Sequence, residues 1–368
     1  MIAMYSSTKI KANRREGAVL LVVLGVILLA SWMLVQIIGR VGEEVELRGV
    51  ESQNDAIRVS AFQTLEIVIG VLAEIQTLDG GLYSPAQGWG DALGYAGFPR
   101  FGTDTNGVDV LGGNEETTIA ALDDMAGFAF PPGIEVEVGI RDESGRLSLN
   151  DTSEERWKLL FEEMEIQSSD ATTMVDSLLD WIDADDEPRL NGAEAGFYQR
   201  RDPPYLPANC FIEDLLDLQL IEGFDRLFFD ERGVPNDLFR TFRDCVTTVG
   251  DGAVNYNTAH PLVLEVLAEE LEFDAEKVAD YVSGPDLERG TVDDQVLRPG
   301  LDDPDLPEDS DGEPLDFSAT CRYLTVHITS WSAGTVFKLS ARLDTETPSA
   351  KKIYPMSILD LQTKGSNL

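Results

Sequence analysis

The chain is predicted to be α+β: a long N-terminal helix packed on an antiparallel sheet, with a large all-helical block inserted between sheet strands. Three observations lead there. An uncharged run near the N-terminus passes into an amphipathic helical pattern, alternating strand patterns lie far apart at about 134–150 and 322–343, and the sequence between them steps at helical intervals.

The uncharged run spans Gly17 to Gly39, 23 residues, behind a short basic leader ending in Arg14, Arg15 and Glu16. A hydrocarbon core about 30 Å thick needs roughly 20 apolar residues in helix, and Ala18 to Ile38 supplies them. A secretory signal has an apolar core of only about 7 to 15 residues, so cleavage beyond Ile38 is not expected. A plain signal anchor is the simpler alternative, because Lys9, Lys11, Arg14 and Arg15 hold the N-terminus on the cytoplasmic side. The leader also resembles that of type IV prepilin-like proteins, in which a basic leader ends in Gly directly before a hydrophobic helix. That resemblance makes Gly17 and Ala18 the two sides of a prepilin peptidase cleavage site. Val22 stands at the fifth mature position, where most of that family has Glu.

After a weaker stretch from Gly39 to Asn54, Ala56, Val59, Ala61, Leu65, Val68, Leu72 and Ile75 recur at steps of two to four residues until Asp79-Gly80-Gly81. These residues predict a second helical length, packed on a globular head. Residues 80–113, rich in Gly, Pro, Asp and aromatics, read as an irregular connection. Ile134 to Ile140 alternates apolar and polar, Asp142 to Gly145 turns the chain, and Arg146 to Asn150 alternates again, which predicts a hairpin with one buried face. A second pair, Arg322 to Thr329 and Thr335 to Leu343, flanks a turn at Ser330 to Gly334. The simplest architecture joins these distant strands in one sheet against the helix.

Helices are predicted from Ser153 through Phe161 and at Ala171 to Trp181, Phe211 to Leu220, Asn236 to Cys245, Pro261 to Glu270 and Ala275 to Val282. The expected division is a leader at 1–17, a transmembrane and stalk helix at 18–79, and a first part of the head at 80–150. An inserted helical domain at 151–290, C-terminal strands of the head at 291–345 and a tail at 346–368 complete it.

Charge narrows the partners. A net charge of −39 repels phosphate backbones and anionic lipid headgroups, and it favours cations. The segment Val254 to Ala259 before a helix looks like a helix-hairpin-helix DNA module, yet that helix carries Glu265, Glu269 and Glu270; packing is the expected role and no nucleic-acid partner is expected. The chain has only two histidines, His260 and His327, and no GxSxG, HExxH or Gly-rich phosphate loop, so no catalytic residue is assigned and no enzyme is expected. Three cysteines make no disulfide scaffold; a pairing of Cys210 with Cys245 is left open, and sequence separation cannot show that they meet.

The segment Leu179 to Glu194 (LDWIDADDEPRLNGAE), followed by Pro203-Pro204-Tyr205 and Pro207-Ala208-Asn209, resembles the "DWIDxDxxPxxxGAE…Y…PxN" signature of the K-type minor pseudopilin of type II secretion systems. Gly252 to Leu264 is similar to that family's "VNINTAPxxVL" motif, departing from it at Tyr256 and His260. An apolar residue at the fifth mature position is usual in this branch. The resemblance implies a type IV pilin-like fold and a non-enzymatic subunit, anchored by one span in the inner membrane with its C-terminal domain in the periplasm. It implies a place at the tip of the pseudopilus, initiating or capping assembly and supporting export across the outer membrane. The implied partners are the I-type and J-type minor pseudopilins, other pseudopilins, the prepilin peptidase and the inner-membrane secretion platform. The alternative from another class is a signal-anchored acidic periplasmic protein that binds calcium or a ligand and joins no filament.

Between Asp180 and Glu194, the residues Asp183, Asp185, Asp186, Glu187, Asn191 and Glu194 offer hard oxygen ligands in a turn-rich loop. Calcium takes six to eight such oxygens, and the resemblance implies a calcium site in the helical domain. The blander reading is that these acids cap helices and face water. A second acidic run, Asp302 to Glu313, is proline-rich with Leu306 as its sole apolar residue, and reads as a solvated linker.

Overall fold

A computed structural model describes Met33, residues 54–98, 130–287 and 321–349, Arg289, residues 355–367, and within 293–320 the residues 293–301, 306–310, 312, 315, 319 and 320. The leader, the Gly17–Ala18 junction and the expected membrane span at 18–38, apart from Met33, lie outside these residues, as does most of the acidic run at 302–313. The chain divides into two units, Met1–Ile57 and Arg58–Leu368.

Helix α1, Asn54–Asp79, is apolar and long enough to cross a membrane by length and composition, with a mean hydropathy of 1.6. Its larger unit is where those apolar residues go. Ala61, Leu65, Val68, Leu72 and Ile75 are buried, joined by Ile67, Ile69 and Val71. Val59, expected on the packed face, instead lies on the outward stripe with Phe62, Glu66 and Gly70, spaced three and four residues apart. Phe62 still meets Phe337 of the sheet at 6.4 Å between ring centroids, and Gln76 donates to the Thr345 carbonyl at 3.3 Å. Short 3-10 turns at Pro85–Gln87 and Trp89–Asp91 and the single-turn helix α2, Ala92–Tyr95, carry the irregular stretch that follows.

The sheet is antiparallel throughout, in the order β1-β4-β5-β6, with β1 at Glu135–Asp142, β4 at Tyr323–Ser332, β5 at Thr335–Asp344 and β6 at Ser357–Asn367. The distant strands therefore do pair. Strand β4 runs further than expected because the turn is only two residues, Ala333 and Gly334, both at positive φ (46° and 84°). Two left-handed residues in a row match the twist of the flanking strands. Strand β6 falls in the segment expected to be a tail; its Lys364 and Asp360 and short apolar content hid the strand pattern.

The hairpin expected over 134–150 does not form. Strand β1 pairs with β4, while β2, Leu147–Ser148, pairs in parallel with β3, Val246–Thr247. The intervening Asp142, Glu143 and Ser144 are buried rather than a solvent-facing turn. Ser144 Oγ accepts from the backbone of Arg322 and Tyr323, its carbonyl accepts from Asn255, and Leu147 and Leu149 are buried in the helical core. Apolar Leu147 and Leu149 find a larger apolar environment there than a sheet face offers.

Among the described residues, seven further helices fall in sequence between β1 and β4: α3 at Glu154–Glu163, α4 at Ser168–Ile182, α5 at Ala195–Tyr198, α6 at Phe224–Phe228, α7 at Asp237–Cys245, α8 at Pro261–Leu271 and α9 at Ala275–Ser283. Their starts follow capping chemistry. Ser153 Oγ accepts from Arg156 N at 3.2 Å, Asn236 Oδ1 from Phe239 N at 3.0 Å and Asp274 Oδ1 from Glu276 N at 3.1 Å, while Pro261 occupies the first turn of α8. Only Leu215–Leu220 of the helix expected from Phe211 is helical, as a 3-10 segment capped by Asp214; Phe211 itself is exposed.

The helical core centres on aromatics. Phe242 of α7 stands 4.9 to 6.1 Å by ring centroids from Phe228, Phe161, Phe224 and Trp157, and all five are fully buried. Each such side chain contributes about 1.5–3 kcal/mol through burial, with edge and offset contacts adding to it. Arg156 on α3 and Glu270 on α8 close one side of this core with an ion pair at 2.5 Å.

Candidate functional site: an acidic loop at the end of α4

Helix α4 carries two acids one turn apart, Asp176 and Asp180, on its buried face. Isolated buried carboxylates are costly, so each must be met by donors. The loop that follows supplies them from its backbone. Asp180 accepts from Arg189 N through both oxygens, at 3.2 and 3.1 Å, and Asp176 Oδ2 accepts from Asn191 N at 3.0 Å and Asn191 Nδ2 at 3.1 Å. Gly192 passes so close that a Cβ there would stand 2.0 Å from Asp180 Oδ2. The helix thereby folds residues 183–194 back on itself.

That path brings the carboxylates of Asp183, Asp185 and Glu194 within 4.8 Å of one another. Of the six residues expected as ligands, these three converge. Asn191 is engaged by Asp176 instead, and Asp186 and Glu187 are exposed and lie outside the cluster. Asp185 Oδ1 also accepts from Glu187 N at 2.9 Å, which turns the loop tip.

Four oxygens here are buried without a donor: Asp183 Oδ1, both carboxylate oxygens of Glu194, and Oδ1 of Asn209. Asn209 sits in a left-handed conformation, φ 45°, and its Nδ2 donates to the Asp185 carbonyl at 3.2 Å. Buried acceptors with so few donors are rare in folded proteins; the Ala195 N–H opposes the rise at Glu194 and the Asp185 N–H that at Asp183, and the remaining demand is of the kind a cation meets. Electrostatics agree. Burial first, then the neighbouring Asp180 and Asp183, push the Glu194 carboxyl up to about 7. Burial pushes Asp180 up to about 6, with Asp183 adding to it and the Arg189 N–H opposing. Asp183 is likewise raised, by burial and by Asp185. A divalent cation would reverse every one of these shifts, and an all-oxygen set of carboxylates and an amide carbonyl suits a hard ion such as calcium.

Asn209 and the anchoring pair Asp176 and Asp180 were not among the expected site residues. Two signals were present: acids spaced four apart on a helix that also carries Met174, Val175, Leu178 and Trp181, and Asn209 closing the Pro207-Ala208-Asn209 motif. Around the same loops, Tyr198 packs against Trp181 and Tyr205 at 5.2 Å each, and Arg201 pairs with Glu222 and Asp225. Cys210 is exposed and Cys245 buried, and both are free thiols here, so the pairing left open from the sequence is not made in this structure. Burial raises Cys245 to about 12, and His260, 3.3 Å from its sulfur, accepts from Leu262 N as the cap of α8.

The second motif is a packing device. Asn255 Nδ2 donates to the Tyr83 carbonyl at 2.8 Å and to Asp142 Oδ2 at 2.9 Å, while its Oδ1 accepts from the amide of Asn257 at 3.0 Å. Asn257 in turn exchanges hydrogen bonds with the backbone of Leu297, at 2.7 and 2.9 Å. Thr258 Oγ1 adds a 2.6 Å bond to Asp142, whose carboxyl burial raises above the usual range.

Comparison with known proteins gives a family match over this part of the chain. The model of the family described as type II secretion system (T2SS), protein K matches residues 140–231, which contain the acidic loop and Asn209. Type II secretion system protein K of Pseudomonas aeruginosa is 28% identical over 170 residues, covering 42% of this chain and 47% of that protein. The Klebsiella pneumoniae protein of the same name is 37% identical over 59 residues, 16% of this chain and 18% of its own length. A putative type II secretion system protein K of Escherichia coli K12 is 40% identical over 70 residues, covering 19% and 21%. The chain thus spans less than half the length of these relatives. Among solved structures, a chain of the GspK-GspI-GspJ complex from the enterotoxigenic Escherichia coli type 2 secretion system has a TM-score of 0.42 at 16% identity, covering 65% of this chain and 82% of that one. Over residues 140–231 this chain is similar to the type II secretion system protein K family.

Proposed function

We propose that the chain is a non-enzymatic minor pseudopilin of a type II secretion system, placed at the pseudopilus tip, where it initiates or caps assembly and supports export across the outer membrane. The observation that carries this reading is the family match over residues 140–231, flanked in sequence order by the Gly17–Ala18 leader junction and the Asn255–Asn257 motif. A prepilin peptidase cuts between Gly17 and Ala18, and residues 18–38 remain in the inner membrane with the rest in the periplasm. The head is pilin-like, with residues 151–290 as an inserted helical domain. Two features support a terminal position: the helical block would obstruct a subunit stacked above it, and Val22 removes the carboxylate other pilins carry near a neighbour's N-terminus. I-type and J-type pseudopilins and the inner-membrane platform are the partners the resemblance implies.

Asp183, Asp185, Glu194 and Asn209 would hold a calcium ion in this reading. The ion would neutralise converging carboxylates and join the 183–194 loop to the segment carrying Asn209. The residues themselves supply oxygen ligands, with Asp176 and Asp180 orienting the loop through its backbone.

The test is deletion in the host followed by complementation with the tagged full chain. Secretion should fall on deletion and return with the chain, which should co-purify with I-type and J-type pseudopilins from detergent extracts. Unchanged secretion after deletion, with no pseudopilin in the purified material, would contradict the reading.

A further inference from the structure

On the face of the sheet away from α1 the charges separate: Glu135 and Glu137 of β1 lie along one edge, while β5 and β6 carry cations. Inward positions of β5 are Phe337, Leu339, Ala341 and Leu343, all buried. Alternation sends Val336, Lys338, Ser340 and Arg342 outward, and the register sets Lys364, Gln362 and Asp360 of β6 beside the last three. Three of these seven positions are cationic and one acidic, whereas the whole chain has 28 Lys and Arg against 67 Asp and Glu. Lys338 and Lys364 stand directly opposite each other, both exposed. Like charges in that relation destabilise a sheet. The Asp360 carboxylate, the register partner of Arg342, accepts from Gln362 at 3.0 Å, and among the described residues none of the three cations forms an ion pair.

Surplus acid makes this arrangement informative. With more than two carboxylates for every cation, many arginines on the molecule find partners, and Arg322 alone meets Asp251, Asp344 and Glu346. Protection of an edge strand accounts for Lys364, since lysines there discourage strand addition. It does not account for Lys338 or Arg342, which lie on the interior strand β5. A membrane surface is a poor occupant, because a chain of net charge −39 is repelled by anionic headgroups. We infer that the outward face of β5 and β6, through Lys338, Arg342 and Lys364, is a docking surface for an acidic surface of another protein subunit. Complementary charge there steers the encounter and fixes which face of the sheet meets the partner, against a general background of like-charge repulsion.

Zero-length carbodiimide coupling on membranes from the host tests this, since it joins a lysine amine to a carboxylate in direct contact. The full chain is treated in place and the linked peptides are read by mass spectrometry. Expected are isopeptide bonds from Lys338 or Lys364 to Asp or Glu in an acidic segment of a different polypeptide, in excess over those from Lys158 and Lys277, which have carboxylate partners within the chain. The double variant K338E/K364E lacks the coupling amines and is therefore read by co-purification: the partner identified from the wild-type links should be recovered with it at least about tenfold less well, an affinity change of about 1.4 kcal/mol. K338R/K364R, which keeps the charge, should retain the partner, and added salt should lower the wild-type adduct yield. Links confined to the chain itself, a yield no greater than from Lys158 and Lys277, or undiminished recovery of the partner with folded K338E/K364E would overturn the inference. Loss of secretion in the complementation experiment reports on the functional reading separately, because these adducts can be absent from a chain that still restores export.

Discussion

Replacing Glu194 by Gln should stabilise the chelator-treated protein at pH 8 and abolish its response to calcium. In the folded chain the Glu194 carboxyl is 4% exposed and pushed from 4.5 up to about 7, chiefly by burial. The folded state therefore prefers the protonated form, and the contribution is fully present below pH 4.5 and is lost as pH rises through 7. At about 1.4 kcal/mol per unit, the site costs the metal-free protein on the order of 3 kcal/mol at pH 8 relative to pH 4. For a domain of this size that is a drop in Tm of roughly 6–12 °C. Gln removes the charge and should flatten this dependence; Asp180, pushed up to about 6, leaves a residual slope in both proteins, so the difference between them isolates Glu194. Calcium should reverse the order, since a ligand at a hundred times its Kd adds about 2.7 kcal/mol to a protein that binds it. Calorimetry of the full chain in detergent micelles, at pH 4 to 8 with EDTA or calcium, reads all of this. A Gln variant less stable than the parent in EDTA at pH 8, or equal calcium responses in the two proteins, would refute the reasoning.

Other substitutions separate the parts of the molecule. Phe242→Ala removes the ring at the centre of the aromatic core and should cost about 3–5 kcal/mol by chemical denaturation. Asn255→Ala leaves the buried Asp142 carboxylate short of one donor and the Tyr83 carbonyl of its partner, and should cost about 2–4 kcal/mol, with the loss growing as pH rises because the raised Asp142 carboxyl charges. Gly192→Ala places a Cβ 2.0 Å from Asp180 Oδ2 and 3.1 Å from the Asp176 carbonyl, so the loop must shift. Calcium-dependent stabilisation should vanish as in the Gln variant, but the protein should be destabilised by about 1–3 kcal/mol rather than stabilised in EDTA, which distinguishes a broken loop from a missing charge.

The helices α3, α4, α7, α8 and α9 were legible within a few residues, because their apolar spacing and caps such as Ser153 and Asn236 are local signals. Pairing was less so. The 134–150 segment read as a hairpin since alternation reports which residues are buried, not against what; Leu147 and Leu149 are buried in the helical core instead. Strand β6 went unread because Asp360, Gln362 and Lys364 face outward on an edge strand and its inward Leu361 is half covered, which leaves little apolar contrast. At the acidic loop, six oxygen-bearing residues were expected as ligands and the carboxylates of three of them converge. Which acid turns inward depends on Asp176 and Asp180 pinning the loop backbone, and Asn209 arrives from a segment fifteen residues beyond Glu194, a distance that no local pattern spans.

The central claim concerns the chain as a processed pseudopilin, and the mature N-terminus tests it most directly. The protein purified from host membranes with its own prepilin peptidase present should begin at Ala18 by intact and peptide mass spectrometry. A chain that keeps Met1, or one cut beyond Ile38, would contradict the account.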